Sequence, residues 1–309
     1  MSPATAEAVR ELARRSPGSA DTPPLSEKAL LRLSAGAPVR HLVAQQADTV
    51  LGYAQLDPAG ETRSVELVAT DPLVAAELLD AAEVLDAPGR LAGAASGLRL
   101  WAHGRNGVAA QAATQAGWQP VRTLLQLRRP LTDLQAADTE PTDAKPASTK
   151  PADSPTAGSA PAPGVSLRPF RPGQDDQAWL AVNARAFASH PEQGSWTQAD
   201  LDVRMAASWF DPAGFLLAVR DGQLLGYHWT KVHDEMPEPM GEVYVLGVDP
   251  VAQGMKLGKA LLGAGLRHLR ERGLRTVLLY VEADNQAARA LYDSFGFALF
   301  ARDIQFAHG

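Results

Sequence analysis

The chain has 309 residues, a net charge of −6 and no cysteine. That length suits two ordinary domains. The acidic balance, without any tract of Lys or Arg, argues against a nucleic-acid partner, and the missing cysteines exclude disulfides, thiolate metal sites and a cysteine nucleophile.

The seven His residues form neither an HExxH nor an HxH cluster, so no metal is expected. The opening MSPATAEAVRELARR lacks the apolar core of a signal peptide, and no run of about 18 apolar residues occurs. The expectation is a cytoplasmic monomer with no membrane partner. Hydrophobic residues make up 45% of the chain, enough for a core in each half.

In chain order, the first half (1–131) carries Leu51-Gly52-Tyr53, then VELVATDP (65–72), then LRLWAHGRNGVAAQAATQAGWQPV (98–121). Glu27 follows Ser26 in PLSEKALL, where a carboxylate suits a helix N-terminus. From Thr132 to Gly164 the composition shifts to Pro, Ala, Ser, Thr and Asp. Such a segment cannot bury enough surface to offset its ordering entropy, so 132–164 is expected to be a disordered linker.

The second half (165–309) repeats the landmarks: Leu225-Gly226-Tyr227, then VYVLGVDP (243–250), then VLLYVEADNQAARALYDSFGFALF (277–300). Asp71 to Asn106 is 35 positions and Asp249 to Asn285 is 36, while Asn to Gly (117 or 296) is 11 in both. Two diverged copies of one fold account for this spacing, and a short-period solenoid does not.

Within the second half, Phe215–Val219, the Asp221-Gly222 turn and Leu224–Thr230 predict a hairpin. Glu242–Val248 predicts a strand stopped at Asp249-Pro250. Leu257, Leu261, Leu262, Leu266 and Leu269 recur at helical spacing, with Gly273 as the stop. Thr276–Val281 predicts a strand, Asn285 a helix start and Gly296 its left-handed end. Phe297–Phe300 and Ile304–Phe306 predict closing strands. The result is a mixed α/β sheet flanked by helices.

A strand, a short glycine-bearing loop and a long helix form a natural anion site, because helix-start N–H groups point at bound phosphate. Taken alone, that pattern is common and weak. Together, GEVYVLGVDPVAQGMKLGKALLGAGLRHL and LYVEADNQAARALYDSFGF resemble the acetyl-CoA core of the GNAT acetyltransferases. WFDPAGFLLAV, LLGYHWTKVH and HPEQGSW resemble more narrowly the tandem-GNAT branch that makes mycothiol. The likeness is close over 165–306 and looser over 25–130.

This resemblance implies two tandem GNAT domains and an acetyl-CoA cosubstrate. The implied acceptor is a small cysteinyl-glucosaminyl-inositol, acetylated on its cysteinyl amine. Leu246, Gly247 and Val248 would follow the pantetheine arm. Gln253, Gly254, Met255, Lys256, Leu257, Gly258 and Lys259 would cradle the pyrophosphate. Asn285, Gln286, Ala287, Ala288, Arg289 and Ala290 would hold the cofactor near its thioester. Glu242 would be the general base and Tyr292 the general acid, with direct attack and no acyl-enzyme. Glu192, Lys231, Tyr280 and Glu242 would line the acceptor site, joined by Glu27.

One departure concerns Lys256, which stands where the signature Gln/Arg-x-x-Gly-x-Gly/Ala has its first Gly. A side chain there crowds the pyrophosphate if the position needs a glycine conformation, or its ammonium adds charge near the phosphates. The first half has no such signature, and Ala113 stands where Tyr292 would be, so that copy is expected not to catalyse. The core motif alone leaves open a different small amine, a peptide N-terminus, or a non-catalytic acyl-CoA-binding role.

Overall fold

The computed structural model describes residues 1–16, 22–33, 38–58, 63–86, 97–104, 107–132, 162–188, 190–234 and 238–308, the side chains of Glu27, Pro191 and Glu192 excepted. The expected linker therefore falls, over 133–161, outside the described residues, as does Asn106.

The chain forms two compact units. The first comprises Met1–Gln126, Glu282–Asp284 and Phe300–Gly309, and the second Leu127–Val281 and Asn285–Leu299. The end of the chain thus belongs to the first unit, although 165–309 reads in sequence as one half.

In the first unit, α1 (Pro3–Arg15) and α2 (Glu27–Leu31) precede β1 (Arg40–Gln46), β2 (Thr49–Asp57) and β3 (Ser64–Ala69). Then follow α3 (Pro72–Asp86), β4 (Arg99–Ala102), α4 (Val108–Gln115) and β5 (Gln119–Pro130), which runs on into the second unit. The strand order is β1-β2-β3-β4-β11, where β11 is Ala298–Ala307. Only β3 and β4 pair in parallel, and β11 runs antiparallel to β4, with Phe306 opposite Leu100. A single strand thus replaces the two short closing strands expected. Its buried Phe306 packs with Leu98, Leu100 and Trp118.

His103, near the end of β4, lies between two carboxylates. Its Nδ1 is 3.1 Å from Asp303 on β11 and its Nε2 is 3.2 Å from Glu66 on β3. Hydrogen bonds to both carboxylates outweigh desolvation and hold the imidazole protonated, with its pKa raised to about 10.

The second unit holds β6 (Ser166–Pro169), α5 (Asp176–Ala186), α6 (Pro191–Gly194), α7 (Gln198–Met205), β7 (Phe215–Arg220), β8 (Gln223–His233) and β9 (Met240–Val248). α8 (Leu257–Glu271), β10 (Thr276–Glu282) and α9 (Gln286–Asp293) follow. The order β10-β9-β8-β7-β6 is antiparallel except for β9 with β10. The β7–β8 hairpin turns at Asp221 and Gly222, both with positive φ (52° and 77°), as a tight primed turn requires.

One sheet face carries an aromatic core. Trp229 stacks on Phe215 at 4.3 Å, and Trp179 of α5 meets Phe215, Tyr227 and Trp229 edge-on. Such offset and edge contacts add about 0.5–1.5 kcal/mol each to the burial itself. On α8, the expected leucine stripe is buried at Leu257, Leu261, Leu262, Leu266 and Leu269.

His228 of β8 is wholly buried against α8. Its Nδ1 donates to the Leu261 carbonyl at 2.9 Å, which leaves Nε2 buried without a partner. Burial lowers its pKa to about 4. A depressed histidine contributes stability that is complete above its unfolded value near 6.5 and is lost as pH falls towards 4. Urea titrations should therefore show stability declining over that window, with a shallower decline in His228→Gln. Gly265 makes room for the ring, since a Cβ there would lie 2.1 Å from His228. Gly265→Ala should cost about 1–3 kcal/mol in the same titrations, and an unchanged midpoint would mean the ring can move aside.

Candidate active site

The site begins with an irregular strand. Along β8 and β9 the register runs from Gly226↔Val248 to Trp229↔Val245, then shifts to Thr230↔Val243. Tyr244 is thus an extra residue on β9, and a bulge of this kind bends its strand. On its other side β9 pairs with β10 only at Gly241↔Val277 and Glu242↔Leu278. Beyond Glu242 the strands part, and β10 no longer pairs Leu246, Gly247 and Val248. An edge of this kind can hydrogen-bond the amides of an extended ligand.

Gly247 itself answers a different need. A Cβ there would lie 2.8–2.9 Å from the Tyr227 ring, so glycine lets the ring pack against β9.

The loop after β9 is held by Asp249. Its Oδ2 accepts from Arg185 Nε and Nη2 at 2.9 and 2.6 Å, and its Oδ1 accepts from the Val251 N–H at 3.1 Å. A 3-10 turn, Pro250–Ala252, follows. Gly254 has φ +83° and Lys256 φ +56°, and no side chain caps α8. Alternating backbone conformations ahead of an uncapped helix start make a concave group of N–H donors suited to phosphate.

Lys256 therefore does adopt the left-handed conformation that favours glycine, and it is solvent-exposed together with Gln253, Gly254 and Lys259. Leu257 differs: its side chain is buried among Ala218, Leu225 and Leu261, which leaves only its backbone for a ligand. Met255 is partly buried against the same cluster.

α9 lies beside the start of α8, since a Cβ at Gly258 would meet Leu291 at 3.4 Å. Asn285 is the N-cap, its amide oxygen accepting from the Ala288 N–H at 3.0 Å. Gln286, Ala287, Arg289 and Ala290 are exposed, and Ala288 is half-buried. Tyr292 points inward, is buried, and meets Phe297 edge-on at 5.7 Å. Burial pushes its pKa well above the ordinary phenol value, so the hydroxyl carries its proton.

Glu242, 8% exposed, sits where β9 and β10 part. Its Oε2 is 2.8 Å from His233 Nε2. Lys231 is its cross-strand partner on β8 and is buried at 6% exposure. The Lys231 ammonium lies 5.1 Å from the Trp209 ring and 5.9 Å from that of Tyr244, within cation–π range. Tyr280 stands two residues beyond Leu278, the β10 partner of Glu242, and so shares its face; it is 40% exposed.

Glu192 belongs to α6 and Glu27 opens α2 of the first unit, and both side chains lie outside the described residues. Sequence reasoning missed Arg204, whose guanidinium covers Trp196 at 3.7 Å and donates to the Tyr244 hydroxyl at 2.9 Å. It also missed His233, although that residue ends the WTKVH motif. Among the described residues, no cluster of His, Cys, Asp or Glu could hold a metal ion.

The model of the acetyltransferase (GNAT) family matches residues 180–297. A mycothiol acetyltransferase of Streptomyces avermitilis is 47% identical, the match covering 99% of this chain and 92% of that protein. One from Thermomonospora curvata is 46% identical over 97% and 91%. The chain belongs to the mycothiol acetyltransferase family. It is a GNAT N-acetyltransferase.

Solved structures agree on the GNAT fold. A GCN5-related N-acetyltransferase of Sphaerobacter thermophilus superposes with TM-score 0.71 at 21% identity, covering 100% of this chain and 93% of that one. A tandem GNAT protein from the clavulanic acid biosynthesis pathway gives 0.66 at 17% identity, covering 98% and 94%.

The first unit builds the corresponding turn differently. Asp71 caps α3 directly, its Oδ1 accepting from the N–H groups of Leu73 and Val74 at 2.9 and 3.1 Å. Those first-turn donors are thereby occupied. Seven residues before Asp71, as Glu242 precedes Asp249, stands Ser64.

The left-handed Lys256 also yields a stability test. An L-residue in that conformation is strained by about 1–2 kcal/mol. Lys256→Gly should stabilise the fold by up to about 1 kcal/mol in urea unfolding, and a loss of stability would show that the lysine makes an offsetting contact.

Proposed function

We propose that this acetyltransferase moves the acetyl group of acetyl-CoA to the cysteinyl amine of cysteinyl-glucosaminyl-inositol, giving mycothiol and CoA. The observation that carries the reading is Glu242: a nearly buried carboxylate at the point where β9 leaves β10, oriented by His233. Relatives named mycothiol acetyltransferase match along nearly the whole chain.

The attacking amine must be neutral. A free α-amino group has a pKa of about 8, so a modest base suffices. Glu242 takes the amine proton, directly or through one water, and His233 keeps the carboxylate turned towards the opening. The nitrogen forms a bond to the thioester carbonyl carbon, and the backbone N–H groups near Val248 support the oxyanion. As the carbon–sulfur bond breaks, Tyr292 gives its proton to the leaving thiolate. A phenol that burial keeps protonated is ready for that step and regains its proton rapidly afterwards.

In this reading the loop from Gln253 to Lys259 binds the pyrophosphate through backbone N–H groups, with Lys256 and Lys259 adding charge. Leu246 to Val248 pair with the pantetheine amides. Asn285 to Ala290 close the far side of the cofactor. Lys231 and Tyr280 face the acceptor beside Glu242.

The test is a steady-state assay with acetyl-CoA and either the cysteinyl conjugate or the same pseudodisaccharide lacking cysteine. CoA release only with the cysteinyl compound is expected, and equal rates with both would reassign the acceptor. Glu242→Gln should lower kcat by about 10²–10⁴-fold while leaving acetyl-CoA binding intact. Undiminished turnover in that variant would remove Glu242 from the reaction. Tyr292→Phe should lower kcat across the accessible pH range, since the buried phenol stays protonated throughout it, and turnover at the full wild-type rate would count against the acid role.

A further inference from the structure

A buried polar chain connects β9 at Gly247, through Tyr227 and Asn183, to the turn of α6. Tyr227 of β8 is wholly buried. Its ring occupies the space that a side chain at 247 would take, with Cε1, Cζ and Oη 2.8–2.9 Å from a Cβ built there. Its hydroxyl donates to Asn183 Oδ1 at 2.5 Å. Asn183 of α5 is also wholly buried. Its Nδ2 donates to the Gln193 carbonyl at 2.6 Å, and its Oδ1 accepts from Gln193 Nε2 at 3.3 Å. Gln193 lies in α6, the short helix of the HPEQGSW motif, whose start is capped by His190 Nδ1 accepting from the Gln193 N–H at 3.2 Å. Gly194 closes the turn against α5, where a Cβ would lie 2.4 Å from the Phe187 carbonyl oxygen.

An apolar pair would fill this space without the cost of burying an amide and a phenol. A buried amide bonded on both sides to one backbone turn instead fixes where that turn sits. A helix of four residues, Pro191–Gly194, cannot hold itself in place, because helix nucleation is unfavourable at that length.

We propose that Tyr227 and Asn183 are positioning residues for the acceptor. They set the place of the 190–195 turn, and so of Glu192, relative to the strand edge that receives the cofactor. The proposal rests on the acetyl-transfer reading above and adds the determinant of acceptor affinity.

Tyr227→Phe keeps the ring against Gly247 and removes only the hydroxyl donor. It should raise KM for the cysteinyl conjugate about tenfold, the worth of one buried hydrogen bond of about 1.4 kcal/mol. The Kd for acetyl-CoA should change by less than about twofold. Amide hydrogen exchange over 190–195 should speed up in the variant even without substrates. Asn183→Ala should act in the same direction, and the double variant should be no worse than Asn183→Ala alone, since both act through one chain. Gly247→Ala, which drives a methyl into the Tyr227 ring, should weaken acetyl-CoA and acceptor binding together.

An acceptor KM unchanged in a folded Tyr227→Phe protein overturns the proposal. So does an equal loss of acetyl-CoA affinity in that variant, which would mark a general structural role. A wild-type protein that binds acetyl-CoA but leaves the conjugate unacetylated would instead refute the acceptor reading, and the positioning role would fall with it.

Discussion

Backbone N–H and C=O groups inside a protein must find partners, and β9 breaks its own ladder. The inserted Tyr244 shifts the register against β8, and pairing with β10 ends at Glu242. The candidate site of the second unit lies around that parting. Leu246–Val248 pairs with β8 on one side and has no β10 partner on the other. The loop that follows turns directly into an uncapped helix, which supplies more N–H donors. Glu242 stands at the vertex, a nearly buried carboxylate where the two strands part. A regular ladder through Val248 would seal this edge and leave Glu242 an ordinary buried acid needing neutralisation.

The bulge also explains the polar cluster beside the vertex. Tyr244 carries its ring towards Trp209 at 5.0 Å and its hydroxyl towards Arg204. Two cations, Lys231 and Arg204, then lie over aromatic faces, and Arg204 also pairs with the Asp200 carboxylate at 4.0 Å.

The strands and helices of the second unit were readable from periodicity because each obeys one local rule. Leucines at helical spacing specify α8, Asp221-Gly222 specifies the hairpin turn, and Asn285 caps α9. The irregular features were not readable, because each depends on a partner distant in sequence. Nothing in VYVLGVDP announces that Tyr244 is the inserted residue, and that follows from how β8 is matched to β9. Arg204 gains its place through Trp196 and Tyr244, one 8 and the other 40 residues away. The assignment of Phe300–Gly309 to the first unit is of the same kind. Alternating apolar residues predict a strand there, yet only the pairing of Phe306 opposite Leu100 decides which sheet it joins. Gly247, placed along the pantetheine arm by resemblance, is also required by the Tyr227 ring behind it.

The two copies show how little must change for such a site to disappear. Both have a parallel pair that ends early, at Glu66↔Trp101 in one and Glu242↔Leu278 in the other. Both follow it with an aspartate that caps the next turn. In the second unit, seven residues separate Asp249 from Leu257, so its carboxylate holds the 3-10 turn and the start of α8 stays open. In the first unit those residues are absent, α3 begins at Pro72, and Asp71 takes up its first N–H groups. An anion would have to compete with a carboxylate already hydrogen-bonded there, and would be repelled by its charge. The absence of that loop therefore leaves α3 capped by Asp71, where α8 starts without a side-chain cap. The fold survives unaltered, because the sheet and the buried helix face do not depend on which acceptor the helix end finds.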